Sequence, residues 1–168
     1  MCDYFWSSSR QVKFMKKITL PLTLTLFLLT FYSIAQEATP AHKDSIDQIV
    51  SRYYTLSLKI YQLNSQVSDV DQLFNLFTDD FEYIHPKYGG TYPRKELYQG
   101  YLRNQKNGAY NGSIVDVKLS NKIIGLNAVV TERTYIKREQ DGSLVEVDPG
   151  MTLFEFEDGK ISMIKEYW

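Results

Sequence analysis

Apolar positions change period partway along the chain. From Ile46 to Tyr61 they recur at three- and four-residue steps, through Ile49, Val50, Tyr53, Ser57 and Ile60, which makes one stripe of a helix. Ser45-Ile46-Asp47-Gln48 reads as a capping box opening that helix, because Ser and the Gln three residues on satisfy each other's backbone donors. Asn64-Ser65-Gln66 breaks the pattern, and a shorter helix is predicted from Ser68 through Leu73, Phe74 and Phe77. Phe81 to His85 alternates as a short strand that Pro86 ends, and Tyr88-Gly89-Gly90-Thr91 is a turn. Pro93 suits the first turn of a third helix, where its missing N–H costs nothing. Leu97, Tyr101 and Leu102 give that helix its apolar side, and Asn107-Gly108 stops it.

From Gly112 the period is two. Val115, Val117 and Leu119 alternate with Asp116 and Lys118, as on a half-buried strand. Gly125-Leu126-Asn127 separates that strand from a β-branched run over 128–137. Asp141-Gly142 is a hairpin signal, and a strand follows over 145–157, bent near Pro149-Gly150. Asp158-Gly159 turns again, and 161–168 closes the set. The pattern predicts an α+β domain over 45–168, three N-terminal helices packed against a curled antiparallel sheet.

Composition narrows the partners. The 168 residues carry a formal net charge of -1 with no basic block, which argues against nucleic acid. Hydrophobic residues are 43% of the chain, enough for a core, and there are 13 Tyr and 9 Phe to build core edges or pocket walls. Lys16-Lys17 before an uncharged run over 18–35, closed by Ser33-Ile34-Ala35, has the three parts of a secretory signal. Cleavage is expected after Ala35, giving a secreted or periplasmic protein with no membrane attachment. Translation is expected from Met15, with 1–14 an upstream extension and 36–44 a flexible lead. An uncleaved anchor is the rival, disfavoured by Pro21 and the small-residue site. The one cysteine, Cys2, precedes the signal, so stability must come from the core and not from a disulfide.

Two stretches resemble a known family. Val67-Ser68-Asp69-Val70-Asp71-Gln72-Leu73-Phe74-Asn75-Leu76-Phe77-Thr78-Asp79-Asp80-Phe81 is similar to the second helix and first strand of nuclear transport factor 2-like (NTF2-like) domains. Phe154-Glu155-Phe156-Glu157-Asp158-Gly159-Lys160-Ile161 is similar to their last hairpin. The family includes ketosteroid isomerases, scytalone dehydratases and SnoaL-like polyketide cyclases. The resemblance implies a cone-shaped sheet around a pocket. It places the isomerases' catalytic base position at His85-Pro86, their oxyanion acid at Thr152, and their phenolic donor at Tyr53 or Tyr61. Thr152 cannot supply that acid's acidity, which argues against steroid isomerisation, and the fold hosts many unrelated activities.

His85 is the titratable side chain that chemistry singles out. The following proline holds it extended, on the same strand face as Phe81 and Tyr83. An imidazole there can act as general base near pH 7, as a polar anchor for a ligand, or as a satisfied strand-end histidine. The ligand-binding set expected from the cone is Tyr53, Tyr61, Phe81, Tyr83, His85, Thr152, Phe154 and Met163. Arg133 and Tyr135 share a face with Val129; an inward Arg would select an anion, and an outward surface charge is the expectation. With His42 the only other histidine, no metal cluster is expected, and no phosphate loop or nucleophile elbow is present to imply a cofactor. Three functional readings follow: a small-molecule-binding protein, an isomerase, dehydratase or cyclase using His85, and a homodimerising module.

Overall fold

The structure, a computed structural model, describes residues 39–167. The expected signal and cleavage site, the extension over 1–14 and Trp168 lie outside the described residues.

Helix α1 runs Pro40–Ile60, starting five residues before the expected Ser45 box. Thr39 caps it, its hydroxyl accepting from the His42 N–H at 3.2 Å, and Pro40 takes the first position, where φ is already helical. Residues 40–44 of the expected lead are therefore helical. The helix buries Ile46, Val50, Tyr53, Tyr54, Leu56, Ser57 and Ile60, so Tyr54 and Leu56 join the stripe read from the sequence while Ile49 and Tyr61 are half-buried. Helix α2 is Val67–Phe74, closed at its start by the Asp69 carboxylate accepting from the Gln66 N–H at 2.9 Å.

Strand β1 is Phe77–His85, four residues longer than expected, so Phe77 belongs to the sheet and not to the second helix. A single 3-10 turn, Pro86–Tyr88, and Gly89 at φ 88° carry the chain into β2, Gly90–Pro93. Gly89 is needed there because a side chain would be strained at that left-handed φ. Helix α3, Arg94–Lys106, follows at once, with Pro93 at its cap and Asn107 at its end.

Strands β3 (Ile114–Ile124) and β4 (Ala128–Arg138) form a long hairpin. The expected bent strand is two strands, β5 (Leu144–Glu146) and β6 (Gly150–Glu157), both antiparallel to β4. Pro149, which has no N–H for a ladder, sits in the gap between them. The Val147 N–H still reaches the Tyr135 carbonyl at 2.9 Å across that gap. Asp158 at φ 49° and Gly159 at φ 75° make the tight turn to β7, Lys160–Tyr167.

The sheet order is β2-β1-β7-β6-β4-β3, with β5 beside β4. It is curled, unclosed and mixed, since β1 runs parallel to β7, where an all-antiparallel sheet was expected. The helices lie on its concave side, an NTF2-like α+β cone. The core between them is aromatic: Phe77 stacks on Phe81 at 4.0 Å, and Phe154 meets Tyr53 at 5.1 Å and Tyr54 at 5.8 Å.

Candidate functional site

Three structural features converge at the end of β1. Pro86 keeps His85 extended, and strand alternation then turns its imidazole to the concave side, 2% exposed. The β1–β2 hairpin puts Tyr92 opposite Tyr83 and folds Tyr88 back over His85, ring centroids 4.2 Å apart. The Tyr92 hydroxyl donates to the Tyr88 carbonyl at 3.0 Å, which fixes the hairpin tip. Helix α3 then faces the hairpin. Between them lies a cavity of about 300 Å³, lined by Tyr83, His85, Tyr88 and Tyr92 from the strands. Glu96, Leu97, Gly100 and Arg103 line it from the helix. A second depression of about 500 Å³ adjoins it along α3, sharing Tyr92, Glu96 and Arg103 and adding Lys95 and Gln99.

Glycine in a helix interior costs about 1 kcal/mol relative to alanine. Gly100 lies near the middle of α3, and a Cβ there would meet only the Arg103 guanidinium, at an ordinary 3.7 Å. The packing of the protein against itself does not require the missing side chain.

Deeper in the cone, a polar row crosses three strands. Thr131, Thr152 and Glu166 are neighbours in register on β4, β6 and β7, all buried. The Thr152 hydroxyl donates to Glu166 Oε2 at 2.9 Å, and Arg133 Nη2 donates to the same oxygen at 2.9 Å. The Tyr54 hydroxyl is 2.7 Å from Thr131 Oγ1, and the Arg133 guanidinium lies 4.7 Å over the Tyr135 ring. Arg133 is thus turned inward, correcting the expected surface charge, and its charge is matched by Glu166.

Burial pushes the His85 imidazole below its ordinary value. The Glu166 carboxylate pulls the other way, while Arg133 and Lys87 add to the downward shift. At pH 7 the ring is therefore neutral and able to accept a proton or a hydrogen bond. Burial also drives the phenols of Tyr53, Tyr61 and Tyr83 upward, so they stay protonated donors.

The structure divides the expected ligand-binding set. Tyr83 and His85 line the cavity together. Tyr53, Phe81 and Phe154 pack against one another and Phe77 in the core. Thr152 donates its hydroxyl to Glu166 and is not among the residues lining the cavity. Tyr61 closes α1, its ring 5.7 Å from Tyr110 and 6.1 Å from Tyr135. Met163 pairs with the exposed Glu82 and Glu155, opposite in face to Ile164 and Glu166, and does not line the cavity.

Sequence reasoning missed Glu166, Tyr88, Tyr92, Gly100 and Arg103. A signal existed for the tyrosines, since pairing across the Gly89-Gly90 turn sets Tyr92 against Tyr83. Among the described residues no group of three or more His, Cys, Asp or Glu is placed to hold a metal ion. Among them, too, no helix is long and apolar enough to cross a membrane.

No known family profile matches the chain, and no curated protein does so. Solved structures do. A protein from Jannaschia sp. CCS1 assigned as a SnoaL-like polyketide cyclase superposes with a TM-score of 0.53 at 17% identity, covering 79% of this chain and 90% of that one. An NTF2-like protein from Anabaena variabilis ATCC 29413 gives 0.52 at 13% identity, covering 74% and 89%. A protein of ketosteroid isomerase-like fold from Catenulispora acidiphila DSM 44928, in complex with trimethylamine, gives 0.50 at 19% identity, covering 71% and 84%. At these identities the likeness is one of fold, and the fold is the NTF2-like one.

Proposed function

We propose that this NTF2-like chain is an exported protein that binds a small, mostly apolar or aromatic molecule in the cavity between the β1–β2 hairpin and α3. The observation that carries the reading is the cavity itself, about 300 Å³ with three tyrosine rings, a leucine and a buried imidazole on its walls. Its size and make-up suit a compact ligand held by ring contacts and oriented by one or two hydrogen bonds. The trimethylamine complex of the Catenulispora acidiphila protein supports small-molecule binding on this fold. Export rests on the Lys16-Lys17 segment, the apolar run and the Ser33-Ile34-Ala35 site.

Native mass spectrometry of the protein from its own producer tests both parts. A retained molecule and a mature start at Gln36 are expected. His85→Ala should then weaken that molecule by about 1 kcal/mol or more, the worth of one hydrogen bond. An unchanged affinity removes His85 from the site, and an intact mass that includes 1–17 removes export by cleavage.

The neutral state of His85 at pH 7 favours one second reading, proton transfer at a carbon beside a carbonyl. Deuterium exchange into the bound molecule, lost in His85→Ala, is the result that distinguishes catalysis from binding.

A further inference from the structure

The cavity and the adjoining depression differ in chemistry along one groove. We propose that this groove takes an aromatic carboxylic acid, its ring in the cavity and its carboxylate on Arg103 and Lys95. The proposal rests on the small-molecule reading and names the ligand class for the same site.

The inner half is walled mostly by rings and shares Glu96 and Arg103 with the outer half. Tyr83, Tyr88 and Tyr92 offer flat faces and edges, and Leu97 closes the wall with apolar surface. The outer half is made of charge. Lys95, Gln99 and Arg103 stand four residues apart on α3, so they form one line along the helix beside the groove. Two cations face one carboxylate, Glu96, giving the outer half a net positive charge. Among the described residues neither Lys95 nor Arg103 takes part in an ion pair, whereas Arg133, in the cone, is matched by Glu166. A guanidinium fork matches a carboxylate through two parallel hydrogen bonds, which fixes the orientation of the attached ring.

Gly100 joins the two halves. It lines the cavity one turn from Glu96 and three residues before Arg103. A helix-weakening residue stands where the protein's own packing has room for a Cβ. A ring lying against the backbone of α3 accounts for it.

Three probes of one shape and different charge test the assignment: 3-phenylpropionate, 3-phenylpropionamide and 3-phenylpropyltrimethylammonium, titrated calorimetrically into the purified protein. The acid is expected to bind about tenfold tighter than the amide, a difference of about 1.4 kcal/mol, and to weaken as salt rises. Arg103→Ala together with Lys95→Ala should bring the acid down to the amide's affinity and leave the amide unchanged. Gly100→Ala should raise Tm and yet weaken the acid and the amide severalfold, the reverse of what a packing glycine would do. Equal affinity for acid and amide, or tightest binding of the ammonium probe, overturns the carboxylate assignment and leaves the pocket reading standing. Gly100→Ala with unchanged affinity or lowered Tm overturns the placement of the ring. No saturable binding by any probe overturns this proposal, and the pocket reading falls with it only when native mass spectrometry also finds no retained molecule.

Discussion

Arg133 and Glu166 form an ion pair inside the cone, Nη2 to Oε2 at 2.9 Å, with both side chains 6% exposed. Such a pair adds little net stability, because desolvating two charges offsets most of their attraction, but leaving one behind is costly. Glu166→Ala should therefore destabilise the fold by about 3–5 kcal/mol, and Arg133→Met with Glu166→Leu should cost far less than either single change. Urea unfolding of the three variants measures this. A single variant as stable as the double would show that water reaches the abandoned charge.

His85 gives the stability a pH dependence of definite sign. Its folded value is depressed by burial, so the unfolded chain binds the proton more readily. The neutral ring's contribution is complete above about 6.5 and is lost as pH falls through that value toward the lower folded one. Tm of the wild type should thus drop more steeply from pH 7.5 to 5 than Tm of His85→Gln. Parallel curves would mean that the imidazole is solvated.

Asp69 acts at lower pH. The Lys59 ammonium at 2.7 Å, and then the Gln66 N–H, hold its carboxyl below the usual range. Its stabilisation is present above the ordinary value of 3.8 and disappears as pH falls through the depressed one. Asp69→Ala removes the reciprocal cap of α2 and should cost about 1 kcal/mol at neutral pH. Acid unfolding should become shallower below pH 4 in Asp69→Asn, as read by far-ultraviolet circular dichroism.

Much of the fold is legible because the period and the punctuation agree. The stripe from Ile46 to Ile60 is a helix face, and the turns at Gly125-Leu126-Asn127 and Asp158-Gly159 stand where the residues put them. The helix start was misplaced because Thr39-Pro40 and Ser45 both carry start signals, and only the first is used. Strand β7 shows why part of the site was hidden. Counting alternate residues from buried Ile161 brings Met163 inside and sends Glu166 out. The ladder to β6 instead slips between Phe156–Ile161 and Glu155–Met163, so the extra residue turns Ile164 and Glu166 inward. A bulge of this kind leaves no mark on hydrophobic alternation, and a charged residue on the inner face reads as a surface one. Arg133 was misread for the same reason, since its partner lies on that reversed strand.

The parallel pairing of β1 with β7 also bears on synthesis. Tyr83 finds its neighbour Ile164 about eighty residues later in the chain, so the hairpin carrying His85 and Tyr92 has no sheet to join until β7 has been synthesised. A nascent chain that stops short of Lys160 would hold its helices and the β3–β4 hairpin but would leave that aromatic wall adrift. Completion of that wall is thus deferred until β7 emerges.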